Sequence, residues 1–293
     1  MALTATADLI MSAAVNGAAV PAFNAITLEH AEGIATGVER SGAAALIQIS
    51  ENTIRFHGGR MAPLVSACAR IAEHSDAALG VHLDHLQDAA LIDEAIATAA
   101  DLGVTSLMVD TAHLSYRDNV DATRGFTRRA HELGLWVEAE LGQVGGKNGH
   151  AIGAHEPGAR TDPAEAAEFV AATGVDGLAV AVGSSHAMTT RDAELDLALI
   201  GRLSSGVGVP LVLHGSSGVS DDNLGAAVRA GMRKVNIGTA LNLAYSGAVR
   251  TVLDGQEPVT DPRTYLAPAR EAIADAVAEL CRVITAPATL EAR

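Results

Sequence analysis

Short aliphatic runs alternate with Ala-rich, helix-periodic stretches along almost the whole chain. Eight of the runs read as strands: VPAFN (20–24), ALIQIS (45–50), LGVHLDH (79–85), SLMVD (106–110), LWVEAELG (135–142), GLAVAVG (177–183), PLVLHGS (210–216) and KVNIGT (234–239). Their bodies are apolar at consecutive positions, the pattern of strands covered on both faces in a parallel sheet. The helices between them carry start and stop chemistry. Asp162 and Pro163 open AEAAEFVAAT, which Gly174 closes, and Ser220 opens DDNLGAAVRA, which Gly231 closes. Each pairs a side-chain acceptor at the N-cap with a glycine where the backbone must turn left-handed. Eight such units in 293 residues predict a closed (β/α)8 TIM barrel, a single domain over 1–293 with a C-terminal helix over 268–284. An open doubly wound sheet is disfavoured, because no G-x-G-x-x-G follows the first strand.

In such a barrel the C-terminal strand ends form the mouth where chemistry is done. His85 ends the third strand, His186 follows the sixth and His214 ends the seventh. Three imidazoles from three strand ends are the donor set of a catalytic zinc, which keeps its fourth position open for substrate. His82 is expected to point into the barrel as a supporting residue. Asp110 at the end of strand four, Glu140 near the end of strand five and Asp84 beside His85 share this rim, as helix caps or as partners of the ligands. HGSSG (214–218) and NIGT (236–239) follow strands seven and eight, where barrels hold a phosphate on backbone N–H groups. The plain alternative for these glycines is a pair of tight turns.

Composition narrows the classes. A chain of this length with 48% hydrophobic residues can bury roughly 75% of its unfolded surface, so the core needs no staples. Cys68 and Cys281 sit in helical patterns without ligand spacing and read as packing residues of a cytoplasmic protein. The start, MALTATADLIMSAAVNG, lacks a basic leader and carries Asp8, so no signal or transit peptide is expected. No run is long enough to span a membrane. A net charge of -15 argues against nucleic acid or an anionic membrane as partner.

HLDH, VEAELGQVGG, AVGSSH, VLHGSSG and KVNIGT, in this order and on these strands, resemble the class II, zinc-dependent ketose-bisphosphate aldolases, which include fructose- and tagatose-bisphosphate aldolases. The resemblance runs from PAFN to about residue 285. It implies that His85, His186 and His214 bind zinc and that Asp84 exchanges a proton with the C4 hydroxyl of the sugar. Asp110 and Glu140 match acids near the metal, as partners of the ligands or alternative ligands. Gly215, Ser216, Ser217, Asn236, Ile237, Gly238 and Thr239 match the segments holding dihydroxyacetone phosphate, with a monovalent cation as a further expected ion near the phosphate. Ser50 matches a serine near the aldehyde end, and Ala187 stands where a glycine backbone touches substrate. The implied reaction cleaves a ketose phosphate, fructose 1,6-bisphosphate first, with tagatose bisphosphate or a deoxy-keto-gluconate phosphate as alternatives. A homodimer or homotetramer is the implied assembly.

The chain also departs from that pattern. Leu86 follows HxDH where Gly, Ala or His is usual, and Ala240 follows NIGT where an acid often contacts the sugar. Asn148 occupies the place of the loop glutamate that moves the C3 proton, a task asparagine cannot perform. Within the glycine-rich connection Gly142–Ala159, read as a lid, Glu156 is the favoured replacement over His150 and His155, because the following Pro157 holds it extended. Arg55 and Arg60 are the basic residues expected near the far end of the substrate. Two other readings are a zinc hydrolase on the same barrel and a catalytically lapsed sugar-phosphate binder. The first lacks an H-x-H on strand one; Asn148 motivates the second.

Overall fold

The computed structural model describes residues 3–141, 143–144, 152–153, 160–184, 190–255 and 258–286. Its strands are β1 (Val20–Asn24), β2 (Ala44–Ser50), β3 (Ala78–Leu86), β4 (Ser106–Val109), β5 (Trp136–Glu140), β6 (Gln143–Val144), β7 (Ile152–Gly153), β8 (Gly177–Ala179), β9 (Leu211–Leu213) and β10 (Met232–Ile237). Eight of them close a parallel barrel in the order β1-β2-β3-β4-β5-β8-β9-β10, with β10 pairing back to β1. β6 and β7 form a separate antiparallel pair. Helices α1 (Thr6–Val15), α2 (Leu28–Ser41), α3 (Glu51–Phe56), α4 (Met61–His74), α5 (Ala89–Leu102), α6 (Tyr116–His131), α7 (Pro163–Thr173), α8 (Leu197–Gly206), α9 (Asp221–Ala230), α10 (Thr239–Leu253) and α11 (Arg263–Ile284) complete the described fold. The expected TIM barrel is the observed architecture. No described helix is long and apolar enough to cross a membrane.

Strand alternation sorts the side chains into layers. Outward positions such as Ile47, Ile49, Leu83, Val137, Leu213 and Val235 join the core between barrel and helices. The inward positions change character with height. Val20, Leu46, Met108, Trp136 and Val212 make an apolar floor closed from below by Leu9 and Ile10 of α1. One step higher the same faces carry Gln48, His82, Glu138, Lys234 and Asn236, all buried. Register agrees: Gln48 lies beside His82 and Ser50 beside Asp84.

The helix caps follow the expected chemistry. Asp162 accepts from the backbone N–H groups of Ala164 and Glu165, and Gly174 turns left-handed at φ 73°. Ser220 accepts from Asn223, and Gly231 has φ 131°. Strand ends differ from expectation. The sixth barrel strand stops at Ala179, because Ala181 pairs laterally with Thr161 instead of a neighbouring strand. The seventh stops at Leu213, because Gly215 turns left-handed at φ 67° into a 3₁₀ turn over Ser216–Gly218. The C-terminal helix begins at Arg263, not 268, and carries Pro268 within it. Asp261 supplies the missing start signal by accepting from Arg263 N at 3.0 Å. Helix α1 has no counterpart in the sequence reading. It is tied to the barrel floor by Thr4 N donating to Leu79 O at 2.9 Å and by Thr6 Oγ1 donating to Ser106 Oγ at 2.7 Å.

Candidate metal centre and cleft

A regular strand would send Asp84 and His85 to opposite faces. β3 avoids this with a bulge: Leu83 pairs with Leu107, but Leu86 pairs with Val109, so three steps on one strand face two on the next. His85 absorbs the extra residue at φ 49°, the one positive φ outside glycine among the described residues. Both side chains therefore reach the same cavity of about 740 Å³ at the mouth.

Three groups brace this corner. Asp110, just past β4, accepts from Gln87 Nε2 at 2.9 Å and faces His85 Nδ1 at 2.9 Å. Glu51, buried at the start of α3, takes the N–H groups of Gln87 and Asp88 at 2.6 and 3.0 Å. Glu140 ends β5, and Asn119 Nδ2 holds the chain there by donating to the carbonyls of Glu140 and Leu141 at 3.2 and 3.1 Å. Donor atoms of Asp84, His85 and His214 lie within 4.8 Å of one another, as do those of His85, Asp110 and Glu140. The His85 and His214 rings are 4.7 Å apart, inclined at 64°.

The field in this cluster favours positive charge. Burial pushes the His85 imidazole down, but Asp84, Asp110 and Glu140 outweigh it and raise the pKa to about 10. Burial alone would raise Asp110, yet its hydrogen bond and attraction to His85, with help from Gln87, hold its carboxyl well below the usual range. Imidazole nitrogens and carboxylate oxygens converging at this spacing fit a divalent zinc-type ion.

Beneath the cluster runs a buried polar layer. His214 Nε2 lies 3.0 Å from Glu138 Oε1. Lys234 Nζ donates to Glu138 Oε2 and to Asn236 Oδ1, both at 2.7 Å. Asn236 Nδ2 donates to Asp84 Oδ1 at 3.2 Å, and Gln48 Nε2 reaches Asp84 Oδ2 at 3.4 Å. Gln48 also donates to Asn24. His82 Nδ1 faces Ser106 Oγ at 2.9 Å; burial, then the charge of Lys234, hold its pKa well below the ordinary value. His82 points into the barrel, as expected.

Of the remaining sequence candidates, Gly215, Ser216, Ser217, Asn236, Gly238 and Thr239 line the cavity. There Ser216 Oγ donates to Asn236 O at 2.5 Å, and Ser217 Oγ accepts from Ala240 N at 3.1 Å. Ile237 packs its side chain in the apolar core, so only its backbone faces this segment. Ser50, at the end of β2, and Arg55, on α3, also line the cavity. Ser50 caps α3 by accepting from Thr53 N, and Arg55 pairs with Glu51 at 2.5 Å while its side chain stays 64% exposed. Arg60 is not among the lining residues: it precedes α4 as its N-cap residue and is exposed. Gly58 and Gly59, both left-handed, turn the chain between Arg55 and Arg60. His186, Ala187, Asn148, His150, His155 and Glu156 lie outside the described residues.

Glu138, Lys234, Gln48, Asn24, Glu51 and Gln87 did not figure in the sequence reading. Three of them had a signal. Glu138 and Glu140, Lys234 and Asn236, and Gln48 and Ser50 are polar pairs two apart inside apolar strands, which places each pair on one face.

A family profile described as "Fructose-bisphosphate aldolase class-II" matches residues 4–287. Among solved structures, a candidate fructose-1,6-biphosphate aldolase from Coccidioides immitis has a TM-score of 0.82 and 28% identity, over 95% of both chains. The YdjI aldolase from Escherichia coli K12 has a TM-score of 0.80 and 26% identity, over 99% of this chain and 100% of that one. The fructose-bisphosphate aldolase of Campylobacter jejuni matches in fold with a TM-score of 0.80 at 20% identity, over 97% and 96% of the two chains.

Proposed function

This chain belongs to the class II fructose-bisphosphate aldolase family, and from that premise we propose that it is a zinc-dependent aldolase cleaving a ketose phosphate, fructose 1,6-bisphosphate first. The observation that carries the reading is the bulge in β3, which turns adjacent Asp84 and His85 into one cavity with the glycine and serine segments after β9 and β10. His85, His214 and His186 would hold the metal, with Asp110 and Glu140 beside it. When bound, zinc supplies Lewis-acid stabilisation of the negative charge that develops on the ketose oxygens.

The protein's own groups do the rest. Asp84 removes the C4 hydroxyl proton; the C3–C4 bond breaks, C4 becomes the aldehyde carbon, and the electron pair passes to C3 as an enediolate. Returning a proton to C3 gives dihydroxyacetone phosphate, a step we assign to Glu156. Asn236 and Gln48 hold the two oxygens of Asp84, so the base meets the proton without reorganising. Backbone N–H groups at Gly215–Ser217 and Gly238–Thr239 anchor the phosphate, with the start of α10 as the favourable dipole end. Ser50 and Arg55 face the aldehyde half; Arg55 is the one Lys or Arg among the described lining residues. A cytoplasmic homodimer or homotetramer is part of the reading, supported by two free buried cysteines and by half-exposed Leu243 and Leu253 on α10; sedimentation tests the assembly.

The deciding measurement is cleavage of fructose 1,6-bisphosphate with coupled detection of triose phosphate. Chelator should abolish it and zinc restore it. A second reading, a lapsed sugar-phosphate binder, is motivated by Asn148. It is favoured if ketose phosphates bind but are not cleaved and dihydroxyacetone phosphate exchanges no C3 hydrogen with deuterated water. Exchange at the native rate in Glu156→Gln would remove Glu156 from the mechanism.

A further inference from the structure

We infer that Lys234 is the positioning residue for both halves of the reaction centre: through Glu138 it sets which ring nitrogen His214 presents, and through Asn236 it sets how Asp84 is held. The argument starts from what lysine cannot do. An ammonium only donates, so the two partners of Lys234 Nζ at 2.7 Å must turn oxygens towards it.

The Asn236 amide is thereby oriented. Its Oδ1 faces Lys234 and its Nδ2 is left to donate to Asp84 Oδ1 at 3.2 Å; the reversed amide would set oxygen against oxygen. On the other arm, Glu138 gives Oε2 to Lys234 and Oε1 to His214 Nε2. A carboxylate only accepts, so Nε2 carries a proton, which leaves Nδ1 as the nitrogen that His214 can offer to a metal. His85 is held the other way round, with Nδ1 against Asp110. His82, the nearest alternative counter-charge, stands 3.8 Å from Glu138, beyond hydrogen-bond reach, and is kept neutral.

Lys234 and Glu138 are both fully buried. Such a pair is a poor source of stability compared with apolar residues of like size, and apolar residues fill this same barrel one layer below. Orientation of the groups above accounts for its presence. The kinetic arm of the inference rests on the aldolase reading; the tautomer arm does not, because it is read without metal or substrate.

Glu138→Gln is the first test. Lys234 still requires the amide oxygen, so the NH2 must face His214 and forces its proton to Nδ1. Imidazole ¹⁵N shifts of the metal-free protein should move from the Nε2–H to the Nδ1–H pattern, and zinc affinity by chelator competition should fall about 10- to 100-fold. Saturating zinc should bring kcat back close to the native value. Lys234→Met should lose zinc affinity likewise but keep a kcat deficit of about 10²-fold at saturating zinc, because Asp84 is also released. Should that variant not fold, Lys234→Met with Glu138→Leu replaces the pair by apolar residues and is read in the same two assays. A native tautomer and native zinc affinity in Glu138→Gln overturn the metal arm. Native zinc-saturated kcat per folded molecule in the lysine variants overturns the base arm; a merely structural lysine would change only the folded fraction.

Discussion

Asp84 and His85 make unlike demands on one corner of β3, a fixed carboxylate and a left-handed backbone. Asp84→Ala should keep its metal and fold and lose kcat by about 10²- to 10⁴-fold, the usual worth of a positioned base; metal content and turnover measured together decide it. His214→Ala should lose zinc by metal analysis, and unchanged occupancy would remove His214 from the site. The thiols should be silent. Burial raises Cys68 to about 12 and Cys281 to about 11, so at neutral pH both stay protonated and should resist iodoacetamide until the protein is denatured, as mass spectrometry would register. At this scale the chemistry of HLDH was legible, but its geometry was not. No glycine or asparagine marks the left-handed position, and alternation alone would turn His85 away from Asp84.

Between elements, one substitution should act with opposite sign at two glycines. A Cβ on Gly37 of α2 would meet Ala274 O of α11 at 2.5 Å and Val277 Cβ at 2.6 Å, whereas one on Gly125 of α6 meets nothing. Gly37→Ala should cost about 1–3 kcal/mol and Gly125→Ala should gain about 0.5–1 kcal/mol, both read from urea midpoints. His30 of α2, stacked on Tyr245 of α10 at 4.6 Å, adds a pH term. Burial, outweighing Asn242 and Glu29, lowers its pKa from 6.5. The unfolded chain then takes up that proton first, so this stability is full above pH 6.5 and is lost as pH falls below it. His30→Gln should flatten the acid limb by up to about 1.4 kcal/mol per pH unit. Helix ends were legible because Asp162, Gly174, Ser220 and Gly231 carry their own chemistry. The end of β8 was not, because Val180–Val182 remain apolar after the ladder has stopped.

Across the whole molecule, eight repeated units made the barrel readable, while the helix that closes its floor carries no repeat and went unassigned. Removing residues up to Val15 would strip Leu9 and Ile10 from beneath Leu46, Met108, Trp136 and Val212. Leu9→Ala alone should cost about 2–5 kcal/mol, seen as a lower denaturant midpoint with site chemistry intact. The polar layer above that floor was missed for another reason: attention to strand ends passes over Glu138 and Lys234, which act from mid-strand. The bulge in β3 has a consequence of a metrological kind. Asp84 and His85 are joined by one peptide unit, a covalent ruler of about 3.8 Å between their Cα atoms, whereas His214 follows β9, the strand diametrically opposite β3 in the ring of eight. When the barrel breathes, the acid and its neighbouring imidazole travel as one body, and the tolerance of the whole assembly is set by the far wall.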